Sequence, residues 1–254
     1  MMQKRGPLQG VWNIMRFNWH FYIVSLAVSV FFMFLSTFLS TTFRYYIFVL
    51  GLLISLPSFV SLLISYYVYD LSGLYNLRWV DDFKTDEKSQ IVNINAGFDE
   101  TSMLLHDKFP TSDLTVLDFY DPAYHTEVSI KRAKKVYPPF PNTKAVTTDH
   151  LALADHSADR IFIIFAAHEI RNAQERLVFF RELKRIIKPA GQIIVTEHLR
   201  DVSNFLAYNI GFLHFFSKSD WLNTFRSAGL LIKKEKKCTP FISTFTLTKN
   251  GVTS

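Results

Sequence analysis

Two long runs without charged side chains, close to the start of the chain, constrain its fold more than any other feature. Residues 17–43 and 45–69 contain no Asp, Glu, Lys or Arg, and the runs are 27 and 25 residues long. About 20 apolar residues in a helix cross a hydrocarbon core of roughly 30 Å. The pattern therefore predicts a membrane anchor of two transmembrane helices within residues 1–69, with Pro57 bending the second helix. Aromatic residues lie near the ends of both runs, as they do at membrane interfaces; they are Trp19, Tyr22, Tyr45, Tyr46, Tyr66 and Tyr67.

Two alternatives compete with the membrane hairpin. The first run is too long for the apolar part of a signal peptide, and no small-residue cleavage site precedes the second run. A buried hairpin of a soluble protein is disfavoured because no acidic residue occurs before residue 70. Lys and Arg are more frequent before and after the hairpin than at its turn, which has only Arg44, so both ends are expected in the cytoplasm, at the inner membrane. The flanking charges are Lys4, Arg5 and Arg16 on one side and Arg78, Lys84 and Lys88 on the other.

The charge of the chain is concentrated in this first part. The net charge is +6, and residues 1–69 contribute four of these charges. Residues 70–254 are nearly balanced, which disfavours a nucleic acid as partner, because a phosphate backbone requires a basic face. A single cysteine, Cys238, excludes a disulfide framework and a cysteine-rich zinc site.

The composition becomes polar at Asp70. We interpret residues 70–88 as an amphipathic juxtamembrane linker, with packing against the following domain as the alternative. The apolar and aromatic positions of this stretch are Leu71, Leu74, Tyr75, Leu77, Trp79 and Val80.

Residues 89–254 alternate between short apolar runs and helical patterns. Such alternation predicts an α/β domain whose mostly parallel sheet is covered by helices. A short turn near residues 237–240 predicts that the last two strands form an antiparallel hairpin. The predicted strands are 91–94, 114–119, 145–148, 160–166, 193–197, 230–236 and 241–248, and the predicted helices are 100–109, 126–136, 172–187 and 219–227.

Three motifs in the second half of this domain occur in a recognisable order. They are LALADHSAD at 151–159 before the strand IFIIFAAHEI, ELKRIIKPAG at 182–191 before QIIVTEH, and WLNTFRSAGL at 221–230. In this order the domain resembles the class I S-adenosylmethionine-dependent methyltransferases, of the type 11 group. The resemblance implies a Rossmann-like sheet, S-adenosyl-L-methionine as cofactor and transfer of a methyl group.

The loop after the first strand departs from the pattern of that family. The family has an acidic residue followed by G-x-G-x-G, whereas here Asn93 takes the place of the acid and only Gly97 is retained. Asn and Asp are the next best residues where φ is positive, so the loop can keep its shape. By the resemblance, the cofactor is bound by Asn93, Asn95, Ala96, Gly97, Asp99, Asp118, Phe119, Asp149, His150 and Phe165.

Asp118 is the candidate for the ribose hydroxyls. It lies 21 residues after Gly97, at the end of the second strand, and a carboxylate about 20 residues after the glycine loop binds ribose in nucleotide-binding βαβ units. Asp121 is the alternative, and either residue can instead simply form the turn.

The candidates for chemistry follow the fourth and fifth strands, because ligands bind at the carboxyl ends of parallel strands. His168, Glu169 and His198 are the catalytic candidates, with a histidine as the base that removes a proton from the acceptor; the alternative is that they only shape the pocket. The aromatic stretch 199–218 is interpreted as a substrate lid, with core packing as its alternative, and His214, Tyr208 and Phe212 as the substrate-binding residues.

Other classes of site are disfavoured by missing motifs. A metal site using His168, Glu169, His198 and His214 is disfavoured because no compact spacing such as H-E-x-x-H occurs, so no metal is expected. The absence of G-x-S-x-G, G-x-x-x-x-G-K-[ST] and G-x-G-x-x-G disfavours a serine hydrolase, a P-loop NTPase and an NAD enzyme. The sequence thus predicts a membrane-anchored methyltransferase acting on a small, apolar or membrane-partitioning acceptor. The alternative is an inactive protein of the same fold that serves as a membrane-tethered interaction module.

Overall fold

The computed structural model describes residues 5–80 and 88–249. Lys4, Lys84 and most of the second half of the predicted linker 70–88 lie outside these ranges. The described chain begins with three helices: α1 (Gln9–Phe17), α2 (Trp19–Ser36) and α3 (Thr41–Tyr66). The first uncharged run is divided at Asn18, whose backbone leaves the helical region and whose side-chain Nδ2 donates to the Ile14 carbonyl at 3.1 Å.

The two apolar helices α2 and α3 are present, and α3 continues through Pro57. They meet through small and hydroxyl-bearing residues. Ser25 Oγ donates to the Ile54 carbonyl at 3.1 Å, and Ser29 Oγ donates to the carbonyl of Gly51. A Cβ added at Gly51 would lie 2.9 Å from the Ser29 carbonyl oxygen, so glycine is needed for this close approach. Away from this contact, many of the apolar side chains of both helices are exposed.

The chain between α3 and the sheet packs on the domain. One turn of π-helix (Tyr67–Leu71) extends α3, and two short 3-10 turns follow at Leu74–Asn76 and Arg78–Val80. Within the described part of the linker, apolar side chains pack against the sheet, where the burial of their surface is favourable. The buried side chains of this segment are Leu74, Leu77, Trp79 and Val80, in one cluster with Ile91, Phe162 and Ile194.

The predicted α/β fold with a C-terminal antiparallel pair is confirmed. In the described residues the strands form one sheet of order β3-β2-β1-β4-β5-β7-β6, parallel from β3 to β5, with β7 antiparallel to both β5 and β6. The strands are β1 (Gln90–Asn95), β2 (Asp113–Asp118), β3 (Lys144–Ala145), β4 (Ala158–Ile164), β5 (Ile187–His198), β6 (Leu230–Thr239) and β7 (Ile242–Lys249). The helices are α4 (Ser102–Lys108), α5 (Val128–Lys134), α6 (Ala173–Ile186), α7 (Val202–Tyr208) and α8 (Lys218–Ser227).

Several predicted boundaries were wrong. Strand β5 starts at Ile187, six residues earlier than predicted, because Ile187 is extended and pairs with Ala158. Strand β3 covers only two residues, because Thr147 bridges to His150 in a tight turn. Helix α5 begins at Val128 rather than at 126, because Glu127 has extended backbone angles.

The order of the strands fixes where a ligand can bind. The chain crosses from β1 to β2 on one side and from β3 back to β4 on the other, so β1 and β4 are neighbours whose following loops diverge. Ligands of open α/β sheets bind in the crevice at this point, outside the carboxyl ends of the strands. The loops after β1, β4 and β5 are therefore the relevant ones.

The contact at Gly51 generates the first prediction. Gly51→Ile introduces a branched side chain against Ser29, and overpacking of this kind costs about 1–3 kcal/mol. We expect a lower thermal unfolding midpoint for the full chain in detergent. Leu53→Ile, on the exposed side of the same helix, is the control and should leave the midpoint unchanged. Equal midpoints for Gly51→Ile and the wild type would contradict the tight pairing of α2 with α3.

Candidate functional site

A cavity of about 190 Å³ lies at the carboxyl ends of β1 and β4. Its walls come from α1, from the end of α3 and from the loops after both strands. Most of the wall is apolar, and its polar groups include Asn13, Glu100, His168 and Glu169. The lining residues are Gly10, Asn13, Ile14, Phe17, Tyr69, Tyr75, Ala96, Phe98, Glu100, Thr101, Ile130, Ile164, Phe165, His168 and Glu169.

Helix α1 covers this cavity and is fastened to the end of α3. The Asp70 carboxylate accepts the backbone N–H groups of Gly10 at 2.7 Å and Val11 at 2.8 Å. These are N–H groups that the first turn of a helix leaves without an internal partner, and a negative charge is favourable there. A Cβ at Gly10 would overlap Tyr69, so only glycine permits this approach.

Glu100 joins α1 to the loop after β1. Its carboxylate accepts hydrogen bonds from Arg5 Nη1 at 2.7 Å, Asn13 Nδ2 at 3.0 Å and the Tyr75 hydroxyl at 2.9 Å. The guanidinium of Arg5 also lies 3.5 Å from the centre of the Tyr75 ring. Sequence reasoning missed these residues, because their positions in the chain are far apart and form no motif.

The loop after β1 is built by polar side chains in place of glycines. Asn95 Oδ1 accepts the Gly97 N–H at 3.0 Å, and Asp99 Oδ1 accepts those of Thr101 and Ser102. Gly97 has φ +88°, the conformation that glycine adopts most easily. Asn93 lies beneath the loop and donates to the hydroxyls of Thr101 and Ser102 at 3.0 and 2.8 Å. The buried atoms Asn93 Oδ1, Asn95 Nδ2 and Asp99 Oδ2 have no hydrogen-bond partner among the described residues.

Asp118 ends β2 opposite Asn95 and is already paired. Its Oδ2 lies 3.0 Å from Lys134 Nζ, and its Oδ1 accepts the Tyr120 N–H at 2.9 Å. Tyr120 and Lys134 also pack on Gly97, within 2.9 Å of where a Cβ would lie. The alternative residue, Asp121, accepts the Ala123 N–H at 2.8 Å and forms a turn.

The other predicted cofactor residues are distributed unevenly. Ala96 and Phe165 line the cavity. Phe119 is buried in the core against Phe179, with ring centres 5.4 Å apart. Asp149 and His150 are exposed in the turn after β3, where a hydrogen bond from Thr147 lowers the pKa of Asp149.

Phe165 follows β4 in a strained conformation. Its φ is +52°, which is uncommon for a residue other than glycine, and such strain is concentrated at functional sites. The Phe165 N–H donates to the Thr196 carbonyl at 2.9 Å. Its ring stacks on His198 with centres 5.3 Å apart, which connects the cavity wall to the end of β5.

His198 is neutral and has a fixed tautomer. Its Nδ1 lies 3.0 Å from Asn204 Oδ1 and 3.1 Å from the Phe241 carbonyl. Both atoms are acceptors, so Nδ1 carries the proton, and Nε2 accepts the Tyr69 hydroxyl at 2.8 Å. Burial lowers the pKa of His198 to about 4. The ring itself lies behind Tyr69, which lines the cavity.

His168, Glu169 and His214 come together, joined by Glu197. His168 Nδ1 lies 2.7 Å from Glu197 Oε2, and its Nε2 lies 3.1 Å from Glu169 Oε1. His214 Nε2 lies 3.6 Å from the same Glu169 oxygen. Burial opposes the charge of His168, but the two carboxylates raise its pKa to about 10. Burial likewise opposes ionisation of Glu169, yet hydrogen bonds from His168 and His214 lower its pKa.

The predicted lid is an ordered segment formed by α7 and a 3-10 helix (Asn209–His214). Arg200 donates to the carbonyls of Leu213 and Phe215 at 3.0 and 2.8 Å, and these bonds hold the segment in place. Of the predicted substrate residues, His214 joins the cluster and Tyr208 packs edge-on against His198, with centres 5.5 Å apart. Phe212 packs against Phe205 at 5.1 Å.

Comparisons with known proteins agree with this geometry. Residues 94–195 match a family model described as a methyltransferase domain. A SAM-dependent methyltransferase from Aquifex aeolicus has a similar structure, with 16% identity, a TM-score of 0.50, and 75% of this chain and 97% of that chain covered. One from Methanosarcina mazei has 14% identity, a TM-score of 0.51, and coverages of 68% and 97%. The [4+2]-cyclase SpnF has 14% identity, a TM-score of 0.51, and coverages of 71% and 81%. The comparison with curated proteins finds no match.

Two of these neighbours are named as SAM-dependent methyltransferases, and the matched methyltransferase domain agrees with S-adenosyl-L-methionine as the cofactor. The residues around the loop after β1 fit this molecule. The unpartnered atoms of Asn95 and Asp99 offer one donor and one acceptor beside Gly97, and Asp118 offers a carboxylate for hydroxyl groups. For the ribose to bind to Asp118, the Lys134 ammonium must first move away from this carboxylate. The partial exposure of the Lys134 side chain permits this movement.

The neutral state of His198 generates a prediction about pH. An unfolded chain binds a proton on this histidine below about pH 6.5, whereas the folded protein excludes it down to about pH 4. The contribution of His198 to stability is therefore complete above pH 6.5 and decreases as the pH falls, by at most about 1.4 kcal/mol per unit. Accordingly, the difference in free energy of unfolding between the wild type and His198→Gln, measured with denaturant, should become smaller as the pH falls from about 7 to about 5. His106→Gln, at an exposed position, should follow the wild type, and a constant or growing advantage would show that His198 is not held neutral.

Proposed function

We propose that the chain is a membrane-anchored methyltransferase that transfers the methyl group of S-adenosylmethionine to a small apolar or membrane-partitioning acceptor. The observation that carries this proposal is the position of the cavity. It lies at the carboxyl ends of β1 and β4 within the segment matched by the methyltransferase domain, and its other walls are α1 and the end of α3. The apolar side chains of the wall would receive the acceptor, and the polar groups would orient its reacting atom.

The cofactor would be held by the loop after β1 and the end of β2. S-adenosylmethionine supplies an electrophilic methyl group on a sulfonium, and the acceptor displaces S-adenosylhomocysteine in line, losing one proton. Asp118 would accept hydrogen bonds from the ribose hydroxyls, while Asn95 and Asp99 would bind polar groups beside Gly97. Orientation of the two reactants would supply most of the rate acceleration.

Tyr69 and His198 are proposed as the route for the acceptor proton. His168 is protonated at neutral pH and Glu169 is a weak base, because each stabilises the charge of the other. His198 is neutral, and with a pKa of about 4 it is a stronger base than Glu169. Its Nε2 already accepts the hydroxyl of Tyr69, a residue that lines the cavity. The acceptor proton would pass to the Tyr69 oxygen as the Tyr69 proton passes to Nε2. His168 and Glu169 would orient the acceptor.

The membrane anchor is supported by the exposure of α2 and α3. In the most apolar 18-residue stretch of each helix, only 11% of the residues of α2 and 6% of those of α3 are buried. The core helix of a soluble protein is mostly buried. A large apolar surface of this kind requires an apolar surrounding. Hydroxyl–carbonyl hydrogen bonds and a glycine contact hold the pair together, as is common between helices in lipid.

The segment around α7 extends this apolar surface toward the site. Helix α7 packs against α3, and both lie on the side of the domain from which the chain leaves the anchor. Such an arrangement supports an acceptor that reaches the cavity from the lipid phase. The exposed apolar side chains of the segment are Val202, Phe205, Leu206, Ile210 and Leu213.

One observation favours the inactive interaction module as a second candidate. The Asp118 carboxylate is paired with Lys134, and Tyr120 packs over Gly97, so two positions expected to contact the cofactor are occupied by the protein's own side chains. The fold is also shared with a protein named as a cyclase, so it does not by itself specify methyl transfer.

Cofactor binding distinguishes the two candidates. We expect the full chain in detergent to bind S-adenosylmethionine by calorimetry, and Asp118→Ala to weaken the affinity about tenfold or more, or roughly 1.4 kcal/mol, through lost hydrogen bonds. Asp113→Ala, at the opposite end of the same strand and exposed, is the matched control. Absence of binding by folded wild-type protein would favour the interaction module.

The anchor is tested by its orientation in a bacterial membrane. After an alkaline carbonate wash the chain should remain in the membrane fraction, because insertion of transmembrane helices is effectively irreversible. In a Cys238→Ser background, Ser40→Cys in the short turn should react with an impermeant maleimide in intact cells. Lys233→Cys, exposed on β6, should react only after permeabilisation. Release by carbonate would overturn the anchor, and the reverse labelling pattern would overturn the orientation.

A further inference from the structure

We infer that His168, Glu169 and His214 form a binding site for one divalent transition-metal cation, with Zn²⁺, Co²⁺ and Mn²⁺ as the fitting class. The sequence provided no motif for this site, because His214 is far from His168 and Glu169 in the chain. The segment formed by α7 and the following 3-10 helix brings the residues together.

The spacing of the three side chains is suitable for a metal. One ligand atom from each lies within 4.8 Å of the others. His168 Nε2 is 3.1 Å and His214 Nε2 is 3.6 Å from Glu169 Oε1. The ligand atoms of a tetrahedral zinc ion, with bonds near 2.1 Å, lie about 3.4 Å apart. A cation can therefore be placed between them with only small side-chain adjustments, and on binding it displaces the Nε2 proton of His168 to solvent.

The outer contacts of both histidines provide an independent argument. Each imidazole turns Nε2 toward Glu169 and presents Nδ1 to a further carboxylate, Glu197 at 2.7 Å for His168 and Glu127 at 3.4 Å for His214. Metal-ligating histidines commonly donate their second nitrogen to a carboxylate or carbonyl, which fixes the tautomer and leaves the other nitrogen free for the metal. Glu197 is almost completely buried and also accepts the backbone N–H of His168, so the orientation of the ring is rigid.

The donor set determines the class of ion. Two imidazoles and one carboxylate suit Zn²⁺ and its neighbours better than Mg²⁺ or Ca²⁺, which prefer oxygen ligands. Three protein ligands leave coordination positions open, as in catalytic rather than structural zinc sites.

The position of the site indicates a role. His168 and Glu169 line the cavity, so an open coordination position can face the acceptor. On the basis of the proposed function, the cation would bind the oxygen or sulfur atom of the acceptor and lower its pKa before methyl transfer. The proton released by the acceptor would still leave through Tyr69.

Metal binding is measured directly and without the methyl donor. Full-length protein without a polyhistidine tag is treated with a chelator in detergent and titrated with ZnCl₂ by calorimetry, and the visible absorption of added Co²⁺ reports its ligands. We expect one cation per chain. His214→Ala, which truncates a partly exposed ligand, should weaken binding at least about tenfold, whereas His106→Ala, an exposed histidine away from the site, should bind like the wild type.

Glu197→Gln tests the outer contact. As a positioning residue it should weaken Zn²⁺ binding by about 10- to 100-fold and leave the number of bound cations unchanged. Circular dichroism identifies variants that are folded, and only these are compared.

The outcomes separate the metal site from the proposed function. Wild-type protein that binds S-adenosylmethionine but neither Zn²⁺ nor Co²⁺ would overturn the metal site alone. Binding of one cation to the wild type and its loss in His214→Ala would support the metal site, whether or not S-adenosylmethionine binds. Absence of S-adenosylmethionine binding would overturn the methyltransferase proposal instead. Unchanged affinity in folded His214→Ala would overturn the ligand assignment.

Discussion

The arrangement of the candidate site depends on the hydrogen bonds between the Asp70 carboxylate and the start of α1. This carboxylate lies one turn beyond the end of α3 and caps the first N–H groups of α1. A single side chain thus fixes the predicted anchor, the covering helix and the mouth of the cavity relative to one another. The interaction is strong because a full negative charge meets the positive end of a helix in a partly buried position. Gly10 completes it, since any larger residue would separate α1 from Tyr69.

The same edge of the sheet holds two histidines in opposite charge states. His168 lies between two carboxylates and is protonated on both ring nitrogens. His198 lies among aromatic rings and neutral acceptors and carries only the proton on Nδ1. Neither the residue type nor the neighbouring residue in sequence distinguishes them, because both stand beside a glutamate. The difference arises because Glu197 points away from His198 and toward His168, which follows the adjacent strand β4. Alternation of side chains along β5 is the physical reason.

Much of the fold was predictable because it is encoded locally. The strands between residues 158 and 198 have continuous apolar runs, and α6 has a capping asparagine, Asn172, that accepts two N–H groups at its start. The weak predictions concern short segments. Strand β3 and helix α5 are short, and their limits depend on the turn at Thr147 and on the non-helical backbone of Glu127, which periodicity does not reveal. In the site, His168, Glu169 and His214 were recognised from their positions after strands, but Glu100, Tyr69 and Asn13 were not.

The two apolar helices, the order of strands and helices and the residues at the carboxyl ends of β4 and β5 follow from the amino-acid sequence alone. Composition and short-range periodicity suffice for these features, because each depends on neighbours within a few turns or strand residues. Three further features depend on the packing of distant segments: α1 covers the cavity, Lys134 pairs with Asp118, and His214 lies beside His168. Those contacts join residues far apart in the chain. They follow from the order of the strands, in which the chain returns from β3 to place β4 beside β1, and from the packing of α1 and α7 beside α3. No local sequence pattern specifies either feature.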